Sequence, residues 1–283
     1  MLPSYKTMHF DNLINRLMLL SLFKQQPCLD ESTTLWILDT FEWALTNFEC
    51  EVFKQDAQLI LPTSEFYPDR VSSIEEMAQT VFDKTLRYAG MGNWPIKLVP
   101  PVVYHQSPQL HSMPKLQFNG AIRGNNVEIS CADYTQSSNN TIYVSYNPNQ
   151  INQPQDLVAS YAQAFAAILI AQRGTLPPGG EQFMPQAIDL VASFMGFGVM
   201  FANTAYQFKG GCGSCYNKYA NREAALPENE MLYCLAVFSV LKSIPVKHVT
   251  LHLKSHLRSG FKKAYKELES KRKTRELPVL TLN

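Results

Sequence analysis

The period of the apolar positions changes twice along the chain. Over residues 30–48, Leu35, Leu38, Phe41, Ala44 and Leu45 recur at helical spacing behind an acidic start, which predicts an amphipathic helix. Residues 58–62 form a short apolar run ended by Pro62 and read as a strand. Residues 63–70 are turn-rich. Ser72 and Ser73 with Glu75 and Glu76 open a second helix, because acidic side chains suit the positive end of the helix dipole. That helix runs to about Tyr88 and stops near Gly90. Residues 96–103 are apolar but contain Pro100 and Pro101, so they predict an edge strand at best.

From Leu116 the period is two. Val127, Ile129 and Cys131 alternate with polar or small residues, as do Ile142, Val144 and Tyr146, which predicts a hairpin joined by residues 133–140. Nine Asn or Gln residues fall in 136–155. The apolar run 142–146 interrupts them, so a strand between polar loops is the better reading than a low-complexity tract. Helical spacing then returns over 156–172, from Pro185 to about Phe208, over 228–242 and over 246–272. No internal repeat or linker divides the chain. The expectation is one α+β domain over 1–283, mostly helical with a small sheet, made of an N-terminal part (1–110) and a hairpin-plus-helix part (111–283).

Composition narrows the class. The 283 residues are 46% hydrophobic and 17% charged, which excludes global disorder. Six irregularly spaced cysteines do not make a disulfide scaffold, and a reduced, cytoplasmic setting fits them. The apolar stretch 17–23 is short and lacks a small-residue cleavage site, so no secretory leader is expected. Residues 190–208 carry no charge, but Ser193, Asn203, Thr204 and Gln207 favour a buried helix over a membrane span. The net charge of +1 hides an asymmetry. Residues 242–276 hold eleven basic and three acidic side chains, a local charge of +8, against −7 for the other 248 residues.

A strand leading into a long apolar helix, followed some twenty residues later by a second one, is the layout of minimal zinc peptidases. Their first helix carries His-Glu-x-x-His, with two His on one face for zinc and the Glu to polarise the bound water. Leu61-Pro62-Thr63 with Phe66-Tyr67-Pro68, Arg87-Tyr88-Ala89-Gly90-Met91, Asp189-Leu190 before Phe194-Met195-Gly196-Phe197-Gly198, and Leu253-Lys254 with Leu257-Arg258 carry a further likeness. On these motifs the chain resembles a family of uncharacterised bacterial proteins predicted to be zincin-like metallopeptidases. The resemblance implies a zincin-like core. It also places the metal motif at Gln163-Ala164-Phe165-Ala166-Ala167, where Gln163 and Ala167 take the two His positions and Ala164 takes the Glu. Alanine offers a metal no lone pair and takes no proton, and Gln is a poor zinc ligand. Asp189 alone is left as a ligand. The expected protein has a dismantled site, no cofactor, and a protein or peptide ligand in the former substrate cleft.

Other constellations are weaker. His248, His252 and His256 fall at i, i+4 and i+8 on one predicted helix face. An i, i+4 pair such as His248 and His252 can grip a metal, but all three span about 12 Å at roughly 1.5 Å per residue, too far to share one ion, and Lys247, Lys254 and Arg258 oppose a cation, so a solvated basic face is the better reading. His105 and His111 lie in a Pro-flanked segment. Cys212 and Cys215 form a CxxC pair in a Gly-rich loop, with a labile disulfide or a metal shared with Cys234 as the sharper readings. A hydrolase whose relocated ligands (and zinc) come from His105, His111, Asp189, Cys212 or Cys215 is the rival expectation. Gly196 and Gly198 lack the strand and turn of a nucleotide loop and suggest close helix packing. Lys254, Arg258, Lys262, Lys263 and Lys266 form a basic face that suits nucleic acid, an anionic surface or the protein's own acidic body.

Overall fold

A computed structural model describes residues 26–69, 71–130, 140–205 and 221–274. Helix α1 (Glu31–Asn47) starts at Asp30, whose carboxylate accepts from the Thr33 backbone N–H and from the Ser32 and Thr33 hydroxyls. It buries Ile37, Leu38, Phe41, Ala44 and Leu45. The buried stripe is centred on positions 34, 37, 41 and 44, which turns Leu35 to solvent at 48% exposure, against the expectation that it faces inward. A short helix α2 (Cys50–Gln55) follows. Helix α3 (Ile74–Tyr88) is capped by Ser73, which accepts from Glu76 N, while the Glu76 carboxylate reaches back to Ser72.

The sheet differs from the expected hairpin. Strand β1 (Ile96–Leu98) and helix α4 (Pro101–Gln106) come first. Pro101 stands in the first turn of α4, where its missing N–H costs nothing, so residues 101–103 are helical rather than extended. Strands β2 (Gln117–Phe118) and β3 (Ile129–Ser130) pair antiparallel. Strand β4 (Ile142–Val144) pairs in parallel with β1, setting Ile96 opposite Ile142 and Leu98 opposite Val144. The two runs expected to pair with each other thus find different partners. Alternation reports which face is buried and not which neighbour is taken. Residues 58–62 form no strand; the Ile60 N–H instead donates to the Gly196 carbonyl at 2.9 Å.

The helical half follows the expected order. Helix α5 (Pro154–Arg173) ends on Gly174, which has φ +76° and returns its N–H to Ile170 O. Helix α6 (Met184–Ala192) runs into a π-turn (Ser193–Phe197) and helix α7 (Gly198–Thr204). The stretch Glu181–Thr204 is apolar and long enough to cross a membrane, but 94% of its most hydrophobic window is buried within the protein's own core. Helix α8 (Glu228–Leu241) is buried on nearly all sides. The expected helix 246–272 is two helices, α9 (Val246–His252) and α10 (Leu257–Lys273), broken at Leu253, whose backbone is extended. Helix α10 packs on α8, α5 on α6 and α3, and α1 on α6. The core joins Leu29 and Phe41 near the start to Phe261 and Leu268 near the end.

Gly196 and Gly198 are required by packing. Gly196 has φ +105°, and a Cβ there would lie 2.1 Å from the Gln58 carbonyl oxygen. A Cβ at Gly198 would lie 2.6 Å from Ser193 Oγ and 2.9 Å from Leu235 Cδ1. Close approach of backbone to helix, not nucleotide binding, accounts for both.

Candidate functional site

Helices α5 and α6 lie against each other and bring Gln163 to Asp189, with Gln163 Nε2 donating to Asp189 Oδ1 at 2.9 Å. Asp189 is 0% exposed. It sits five residues after Met184, beyond the first turn of α6, so the helix dipole is not what holds it. Its partners come from the segment before α8. Arg222 Nη1 donates to Asp189 Oδ1 at 3.0 Å, and the Ala225 and Leu226 backbone N–H groups donate to Oδ2 at 2.8 and 3.2 Å. Both carboxylate oxygens therefore have two donors each, one of them a full positive charge.

Arg222 is held through its other atoms, while its Nη2 is buried without a hydrogen-bond partner among the described residues. Its backbone N–H donates to Asp156 Oδ1 at 2.9 Å, and its Nε to Thr204 Oγ1 at 3.3 Å. The guanidinium lies 4.1 Å over the Phe201 ring, a cation–π arrangement in a site shut off from water. The Arg222 and Asp189 side chains are 1% and 0% exposed. Burial raises the pKa of Asp156, partly offset by the Arg222 N–H it accepts. Gln163 also donates to Glu223 O at 3.1 Å, so one side chain ties α5, α6 and the 221–227 segment together.

This donor set does not suit zinc. A divalent cation at Asp189 would meet the Arg222 guanidinium, an amide N–H and two backbone N–H groups, all of which repel it. Ala164 and Ala167 are half-buried beside Gln163 and contribute no donor atom. Phe165 and Ala166 are core residues. Among the described residues no three His, Cys, Asp or Glu side chains gather as a metal would need.

The other candidate residues are dispersed. His105 lies in the last turn of α4, and His111 hydrogen-bonds to Tyr104 O at 2.9 Å, with its ring 4.5 Å from that of Tyr104. His248 and His252 share α9 with ring centroids 6.0 Å apart, and burial followed by the neighbouring His248 lowers the pKa of His252. His256 lies past the break at Leu253 and meets Glu228 at 3.5 Å, so the expected single face of three His does not form. Cys212 and Cys215 lie outside the described residues, and Cys234 is fully buried, with its thiol pushed well up by burial.

Lys254, Arg258, Lys262, Lys263 and Lys266 are exposed, while Leu257, Phe261, Ala264 and Leu268 dock α10 on the body. Glu267 and Glu269 pair with Lys271 and Arg272 on the same helix, so these ion pairs do not reach across to the acidic body. Glu267 also accepts from Cys28 N and Tyr233.

Sequence reasoning missed Arg222. It lies in a segment read only for its glycines and cysteines, and its one signal was a lone Arg just before an apolar helix. Comparison of the chain with family models, with curated proteins and with solved structures gives no match.

Proposed function

We propose that the chain is a non-catalytic binding protein with a zincin-like core, in which Arg222 takes the role of a structural cation beside Asp189. The observation that carries this reading is the saturation of the buried Asp189 carboxylate by Arg222, Gln163 and two backbone N–H groups. A group so fully paired inside the protein has no lone pair left for a metal and no route to a substrate proton. The test is metal analysis of the purified protein with a casein-cleavage assay. Sub-stoichiometric zinc and no chelator-sensitive cleavage are expected. One zinc per chain, lost in Asp189→Ala, overturns the reading.

The exposed basic side chains of α10 support a second reading, in which that helix meets a polyanionic surface. It is compatible with the first, because α10 carries none of the Asp189 partners.

A further inference from the structure

Residues 61–69, the outer side of α3 and the start of α5 border an open-sided cavity of about 280 Å³. A dry cavity of roughly 150 Å³ holds benzene, so this one has room for an aromatic ring with a short chain. Its walls are largely apolar, with Met77 and Val81 from α3, Val158 from α5 and Met200 from α7. Paired methionines give a wall that adapts to the shape of a guest.

A charged pair faces this apolar space: Lys84 and Asp69 line the cavity and pair at 3.0 Å. The pair is asymmetric, with the Lys84 side chain 20% exposed and that of Asp69 44%.

The asymmetry selects the sign of the guest. An amine would claim Asp69 and leave the more buried ammonium without its counter-ion. A carboxylate would claim Lys84 and release Asp69, which already has water. The second exchange strands no half-buried charge and is the cheaper one.

We propose that this cavity binds a small carboxylate with an apolar body, the body against Met77 and Met200 and the carboxylate on Lys84. The same chemistry comes from a free aliphatic or aromatic acid and from the apolar C-terminal residue of a peptide. The inference rests on the binding-protein reading above and names its ligand class.

Calorimetric titration of the full chain tests it with 3-phenylpropionate, its amide and 3-phenylpropylamine, and with Gly-Gly-Phe bearing a free or amidated C-terminus. The acid is expected to bind more tightly than the amide by about tenfold or more, about 1.4 kcal/mol, and the amine more weakly still. Binding of the tripeptide as tightly as the free acid assigns the site to chain ends; binding of the free acid alone assigns it to small molecules. Lys84→Met keeps the alkyl stem and should erase the preference for acid over amide. Thr80→Trp fills the partly exposed wall of α3 and should abolish binding even if Lys84→Met proves unstable. Equal affinity for acid and amide, tighter binding of the amine, no binding of either acid, or binding indifferent to Thr80→Trp each overturns the assignment. None of these readouts involves metal. A zinc-free chain that ignores both acids therefore sinks the cavity assignment alone, and a zinc-loaded chain sinks the reading at Asp189 alone.

Discussion

Arg222 and Asp189 depend on each other more than on the solvent. With both side chains essentially unexposed, removal of either leaves a buried charge without its counter-ion, which costs about 3–5 kcal/mol. Arg222→Met and Asp189→Leu are each expected to lower stability by about that amount in urea titrations. The double variant is expected to lose less than the sum, because two apolar groups pack where two charges stood. Additive losses would mean that the two residues act separately. Asp30 is the opposite kind of carboxylate, exposed and used as a cap. The Ser32 hydroxyl, then the Thr33 N–H and hydroxyl, pull its pKa down to about 2. A depressed folded-state value means its contribution is complete above the ordinary Asp value of about 3.9 and is lost as the pH falls through about 2. The gap in melting temperature between the wild type and Asp30→Ala should hold above about pH 5 and close toward pH 2.

At the scale of elements, helix order was legible and strand pairing was not. The Ser73–Glu76 cap, the Gly174 stop and the apolar faces of α3 and α5 are local features, each written within a few residues. The partner of β4 lies 46 positions earlier, at β1, and no local pattern names a partner. The break at Leu253 was hidden because Leu253 and Leu257 keep helical spacing across it. The site was legible only in part. Gln163 and Asp189 do meet, yet the residue that closes them in, Arg222, comes from a segment with no pattern to read. The π-turn at Ser193–Phe197 is decided by a single contact. Gly196→Ala would combine a positive φ with a Cβ 2.1 Å from Gln58 O, and a loss of about 3 kcal/mol is expected by chemical denaturation. Gly174→Ala, also at positive φ but in the left-handed helical region and with only the end of the Lys115 side chain 3.5 Å from its Cβ, should cost clearly less. Similar losses at both positions would show that backbone strain alone, and not the crossing of 58–60, sets the price.

Across the whole molecule, the near-zero net charge conceals a basic face that stays in solvent. Lys262, Lys263 and Lys266 point away from the core that holds Leu257, Phe261 and Leu268. The Debye length falls from about 30 Å at 0.01 M salt to about 8 Å at 0.15 M. If α10 meets polyanions, co-sedimentation with phosphatidylserine vesicles should be strong at the lower salt and weak at the higher. Lys262→Ala with Lys266→Ala should then remove most of it, while neutral vesicles give none. Retention that ignores salt would sink that reading.

The crossing of residues 58–60 over the π-turn also has a consequence in time. The Ile60 N–H is held by a carbonyl inside the buried α6–α7 stretch, with Phe194, Met195 and Phe197 fully enclosed around it. No fraying end or surface loop can release that proton. In native-state deuterium exchange the Ile60 amide should therefore swap only when the helical half opens as a unit. A loop residue by position, it would count among the slowest protons in the molecule, and its rate would report the opening of the very helix that carries Asp189.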